Sequence, residues 1–105
     1  MSTDYSFFQN LATEVVIPKD GILSRTLYSD AKLKAIIFGF DTGQELSKHT
    51  AASAAIIHIV KGEGHLTFGD VSTDVSAGAW VHMQPRLEHS VFATTPLTML
   101  LIMIN

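Results

Sequence analysis

The sequence predicts an all-β domain, an antiparallel sandwich or barrel of short strands. Three observations carry that reading. Apolar runs of about four to eight residues alternate with Gly, Pro, Asp and Ser punctuation. None of these runs reaches the length or the 3.6-residue period of an amphipathic helix. They recur at roughly ten-residue intervals, the spacing of strand plus turn in small β folds. A chain of 105 residues accommodates one domain.

The elements follow in order. Ser6 to Ala12 is the one stretch read as a helical turn, and residues 15–29 are expected to join the sheet. Within them Ile22 to Tyr28 reads as a strand. Leu33 to Phe40 is rich in β-branched and aromatic residues and reads as the next. Asp41-Thr42-Gly43-Gln44 breaks it, opening a loop that runs to about Thr50. Ala54 to Val60 is a strand, closed by Gly62-Glu63-Gly64. His65 to Phe68 and Val71 to Val75 form a hairpin around Gly69-Asp70. Ala79 to Met83 is a strand that Pro85 stops, because proline cannot donate to a ladder. His89 to Ala93 and Leu97 to Ile104 complete the set, parted by Pro96. A barrel closes most sheet edges, which suits a chain with few edge charges.

Composition narrows the function classes. The net charge is −3 and Lys and Arg are not clustered, so nucleic-acid binding has no electrostatic footprint. The apolar run Met99 to Ile104 is too short to cross a bilayer. There is no cysteine, which excludes disulfides and thiolate metal sites and fits a reducing compartment. Met1 to Ile17 contains Asp4 and Glu14 and lacks a basic start followed by an apolar run. It is not read as a signal peptide, and the expected location is the cytoplasm. Apolar residues make up 47% of the chain and charged residues only 16%. The usual charged share is about a quarter, so the chain is expected to hide apolar surface in a homodimer.

Without cysteine, transition-metal chemistry falls to the five histidines and the carboxylates. Strand parity sorts the histidines. In Ala54 to Val60, positions 55, 57 and 59 share the inward face, which turns His58 outward with Ile56 and Val60; a β-bulge would reverse it. His65 and His82 fall on outward positions, and Trp80 shares the face of His82. His89 shares a face with Val91, assigned to the interior. His49 ends a loop, where parity is silent. A lone strand histidine is more often a hydrogen-bonded surface residue than a ligand.

Two stretches resemble a known family. Gly43-QELSK-His49-TAASA-Ala55-IIHIVK-Gly62 is similar to the first motif of the cupins: a glycine, a His-x-His pair, a glutamate and a closing glycine. Gly78-AWVHMQ-Pro85-RLE-His89-SVFA resembles the second motif, with His89 in the histidine place. The resemblance runs from about Ala35 to Ile104. It implies a cupin-type antiparallel β-barrel, the double-stranded β-helix or jelly roll. It also implies a site in the barrel mouth, where metal-dependent cupins hold iron, manganese, nickel or zinc through three histidines and a glutamate. Here Ala51 stands in the second histidine place and Ala55 in the glutamate place, leaving His49 and His89. Neither alanine has a lone pair to give.

Three functions follow. In the first, the barrel binds a small molecule among Ile57, Ile59, Phe68, Met83 and Phe92, with His49 and His89 as polar anchors. In the second, it is an enzyme. A weakly held divalent metal on His49, His89 and a third donor such as His58 would polarise a substrate oxygen or bind dioxygen, or the two imidazoles alone would act as acid and base. In the third, it is a subunit-interaction module. Arg86, on the loop after Pro85, is a candidate for a substrate carboxylate and equally a solvated loop residue. No Gly-x-Ser-x-Gly occurs, and Gly62-Glu-Gly-His-Leu-Thr is a turn between strands, not a dinucleotide loop.

Overall fold

A computed structural model describes residues 4–105; Met1 to Thr3, the start of the segment read as carrying no leader, lie outside the described residues. Among those described, a 3₁₀ turn at Leu11–Thr13 precedes nine strands. These are β1 (Ile22–Ser29), β2 (Leu33–Phe40), β3 (Glu45–His49), β4 (Ala54–Lys61), β5 (Glu63–Phe68), β6 (Val71–Ser76), β7 (Trp80–Met83), β8 (His89–Ala93) and β9 (Leu97–Ile104). No helix among the described residues is long and apolar enough to cross a membrane.

Two departures from the expected elements have physical causes. The segment expected to be loop as far as Thr50 contains β3. Leu46 is the one apolar residue of that strand, and its neighbours are Glu, Ser and Lys, so no apolar alternation marked it. Of residues 15–29, only β1 joins the sheet. Val15 to Gly21 is irregular chain whose Ile17 and Val16 lie against Gly39. The helical turn falls at the C-terminal end of the segment expected, where the Asn10 Oδ1 accepts from the Ala12 amide at 3.1 Å and caps it.

The strands form two antiparallel sheets, ordered β1-β2-β9-β4-β7 and β3-β8-β5-β6. Each strand turns alternate residues toward the space between them. Phe40, Ala55, Ile57, Ile59, Met83, Leu97 and Met99 come from the first sheet, and Leu66, Val91 and Ala93 from the second; together they make one core. Each large side chain among them contributes about 1.5–3 kcal/mol by leaving water.

The turn from β4 to β5 needs a glycine. Gly62 sits at φ 91°, and a Cβ there would lie 2.0 Å from the Pro96 carbonyl oxygen. That approach lets Glu63 donate its amide to the Thr95 Oγ1 at 2.9 Å and accept from the amides of Thr94 and Thr95. The turn between β8 and β9 is thereby locked to the turn between β4 and β5. At the other side, the Gly43 amide donates to the Ala93 carbonyl at 2.7 Å, and the Ala93 amide to the Gln44 carbonyl at 3.0 Å. These bonds fix the entry of β3 beside β8, which brings the two motif histidines together.

Candidate functional site

β3 runs antiparallel to β8, with Leu46 opposite Val91 and His49 opposite His89. Three residue steps on β3 therefore span two on β8, and the strand carries a bulge between Leu46 and His49. The bulge decides the site. Leu46 faces inward, and in an unbroken strand Lys48 would be the next inward residue, with His49 turned out. The extra residue gives His49 the place opposite His89 instead. His89 needs no such device, because it alternates with Val91 and Ala93, both in the core. It is 6% exposed, whereas His49 stands at the open rim.

The two imidazoles have their ring centres 4.3 Å apart and their planes inclined at 57°. Each is held the same way. The His49 Nδ1 lies 2.8 Å from the Ser47 carbonyl oxygen, and the His89 Nδ1 lies 2.9 Å from the Leu87 carbonyl oxygen. A carbonyl oxygen only accepts, so each Nδ1 carries the proton and donates it. In the neutral rings this leaves Nε2 as the atom with the free lone pair. The backbone two residues upstream thus sets both tautomers, the role that a partner at the second ring nitrogen plays in histidine sites generally.

Beside the pair lies a cavity of about 380 Å³, walled by His49, Thr50, Ala51, Ala52, Ser53, Ala55, His89, Leu101 and Met103. Leu101 and Met103 face into it because they continue the inward alternation of Leu97 and Met99 on β9. The loop carrying Ala51 is held by a backbone bond from the Arg86 amide to the Ala51 carbonyl at 2.7 Å. Across the outer rim, the Lys48 Nζ and a Glu88 carboxylate oxygen are 3.9 Å apart, both largely solvated.

Of the residues named from sequence, His49 and His89 come together and the others do not join them. His58 keeps the outward direction that parity gives it, with Trp80 and Leu100 as its cross-strand neighbours, so it is no third donor to this pair. Ile57, Ile59 and Met83 face inward but are packed into the core, not set along the cavity wall. Phe68 lies opposite His89 and packs against the core without lining the cavity. Phe92 corrects the expected pocket most clearly. Val91 points in, so Phe92 points out, where its ring stacks on His65 at 6.0 Å and 17°. Arg86 is exposed at φ 68° and contributes its backbone amide to the site. Sequence reasoning missed Leu101 and Met103 as cavity walls. The signal was present in the inward alternation of β9, where Leu101 and Met103 continue the face of Leu97 and Met99.

The donor set does not fit a resident metal. Two imidazoles converge, and the described residues hold no cluster of three or more His, Cys, Asp or Glu able to take a metal ion. Ala51 and Ala55 present methyl groups in the same wall. Protein sites for zinc and the other first-row ions normally use three or four protein donors.

Comparison with known proteins agrees on the architecture. The cupin domain model matches residues 36–105. Among solved structures, a conserved protein of unknown function from Streptococcus pyogenes superposes with a TM-score of 0.86 at 28% identity, over 97% of this chain and 90% of that one. A cupin superfamily protein from Desulfitobacterium hafniense gives 0.85 at 21% identity, over 90% and 86%. A cupin 2 conserved barrel domain protein from Leptotrichia buccalis gives 0.84 at 26% identity, over 90% of this chain and 46% of that one. No curated protein matches. With two sheets in this strand order and a family match over most of its length, the chain belongs to the cupin domain family.

Proposed function

We propose that this cupin binds a small molecule in the barrel mouth, recognising it through the paired Nε2 acceptors of His49 and His89 and not through a resident metal ion. The observation that carries the reading is the matched pair of Nδ1 bonds to the Ser47 and Leu87 carbonyls, which leaves two lone pairs on rings 4.3 Å apart. Such a pair complements a ligand that donates hydrogen bonds, such as a hydroxyl or a phenol. Leu101, Met103 and the alanines of the wall suit an apolar body, while Thr50 and Ser53 add hydroxyls. The cavity of about 380 Å³ sets the scale of the ligand.

Untagged protein is analysed for metals, then titrated with small phenols and alcohols while amide and imidazole NMR signals are followed. The expected result is less than one metal per chain, and ligand shifts centred on His49, Ala51, Ser53 and His89. For a ligand found this way, His49→Ala and His89→Ala each weaken binding roughly tenfold, the scale of one hydrogen bond lost to a partly buried acceptor. One chelator-resistant metal per chain, or shifts confined to other parts of the barrel, would overturn the reading.

A further inference from the structure

The inward face of the barrel carries one fixed charge. On β2 the inward residues are Lys34, Ile36, Phe38 and Phe40, with Phe40 in the core and Phe38 packed against it. The inward positions of β1, β4, β7 and β9 hold apolar or hydroxyl side chains. Those of the four-stranded sheet hold no carboxylate, ammonium or guanidinium. Lys34 is thus the one strand residue among those described that brings a permanent charge to this side.

Its register ties it to the mouth. Lys34 is the cross-strand partner of Met103, a wall of the cavity beside His49 and His89, and Ala55, another wall, is the partner of Met103 on the far side. Cross-strand partners hold their Cβ atoms about 4.5–5.5 Å apart. A lysine stem spans about 6 Å, so the ammonium is within reach of the mouth. The imidazoles belong to the other sheet, and sheets packed face to face stand about 10 Å apart. Lys34 is exposed, and its side chain has no ion pair or hydrogen bond among the described residues. The other charges at this end of the barrel are placed differently. Lys48 faces Glu88 across the outer rim at 3.9 Å. Asp30 accepts from the Tyr28 hydroxyl and from the Lys32 and Leu33 amides. Lys32, Asp70 and Arg86 stand in the bends and turns between strands.

We infer that Lys34 fixes the class of ligand: the molecule bound in the mouth is a hydroxy acid whose hydroxyl and carboxylate stand at opposite ends. The inference rests on the ligand reading above and adds a second pole to it. The hydroxyl donates to the Nε2 lone pairs on one sheet, and the carboxylate meets the Lys34 ammonium on the other. Between them the apolar body lies along Leu101, Met103 and the wall alanines. One unpaired ammonium balances one carboxylate. A phosphate group brings about −1.5 to −2 charges and would leave part of them uncompensated. Lys34 stands outside the matched residues 36–105 and outside both histidine motifs, so the family pattern does not supply it.

The test titrates the full chain with para-hydroxybenzoate and para-hydroxyphenylacetate, each beside its neutral amide, while imidazole NMR signals report the site and the affinity. Acid and amide should both shift His49 and His89. The better acid should bind about fivefold more tightly than its amide, the scale of an ion pair at a solvated rim. Added salt should shrink that preference. Lys34 is exposed, so Lys34→Met should fold, and it should bring the acid to the affinity of the amide. Lys34→Arg should keep the preference. Lys48→Met, which removes a charge already facing Glu88, should keep it too. Equal affinity of acid and amide in the parent, or a preference that survives Lys34→Met, would overturn the role of Lys34 and leave the imidazole site standing. If none of the four compounds moves His49 or His89, both readings fall.

Discussion

At the residue scale, two alanines decide what the mouth can hold. Ala51 and Ala55 wall the same cavity as His49 and His89, and in the family pattern these places carry a histidine and a glutamate. The double variant A51H/A55E should therefore gain a metal site. One equivalent of added zinc or manganese is expected to survive gel filtration with the variant and to be lost from the parent, as elemental analysis would record. Ala55 is buried, so the unloaded variant should also melt lower, and metal should restore it. A variant that binds no more metal than the parent would show that the four positions do not converge.

A second residue-scale prediction concerns acid. The Asp41 carboxylate accepts from the Asp20 amide at 2.7 Å and from the Thr42 amide at 2.9 Å, and these bonds hold its pKa below the ordinary carboxylate value. The folded chain thus binds this proton less tightly than the unfolded chain. The stabilisation is present above the ordinary carboxylate range and is lost as pH falls through the lowered folded value. Asp41→Asn should lower the thermal midpoint at neutral pH, and the gap from the parent should close as pH falls below the ordinary carboxylate range. Asp30 follows the same sign, lowered by the Tyr28 hydroxyl and by the Leu33 and Lys32 amides.

At the element scale, the β4–β5 turn is the least forgiving part of the frame. Gly62→Ala would set a methyl group against the Pro96 carbonyl at a φ of 91°. The backbone of two turns must move to accept it. We expect a loss of more than about 2 kcal/mol in chemical denaturation. Gly78, at φ 97° with open space around it, should lose only the conformational cost of about 1 kcal/mol.

Strands with strong alternation were legible in the sequence. Ala54 to Val60 shows its inward residues at 55, 57 and 59, and the structure keeps that parity and leaves His58 outside. β3 was illegible because one inward leucine among polar residues makes no pattern. The bulge that aims His49 at His89 was illegible too, because an inserted residue carries no compositional mark; it exists only in the register against β8. Phe92 was misplaced by ranking its apolar character above its parity with Val91. The resemblance placed His49, Ala51, Ala55 and His89 at the mouth, but the wall formed by Leu101 and Met103 lies at the far end of the chain and had no link in the sequence to the loop after β3.

At the scale of the whole molecule, the chain separates two tasks. The four-stranded sheet supplies both imidazoles and shows water a polar back. The five-stranded sheet supplies most of the core and turns a largely apolar back outward. The measurement that tests the account most directly is the long-range ¹H–¹⁵N spectrum of the histidine rings at neutral pH. The account predicts that His49 and His89 both appear as Nδ1–H tautomers with unprotonated, metal-free Nε2 atoms. Nε2–H tautomers at either ring, or nitrogen shifts showing both rings bound to a metal in the purified chain, would contradict it.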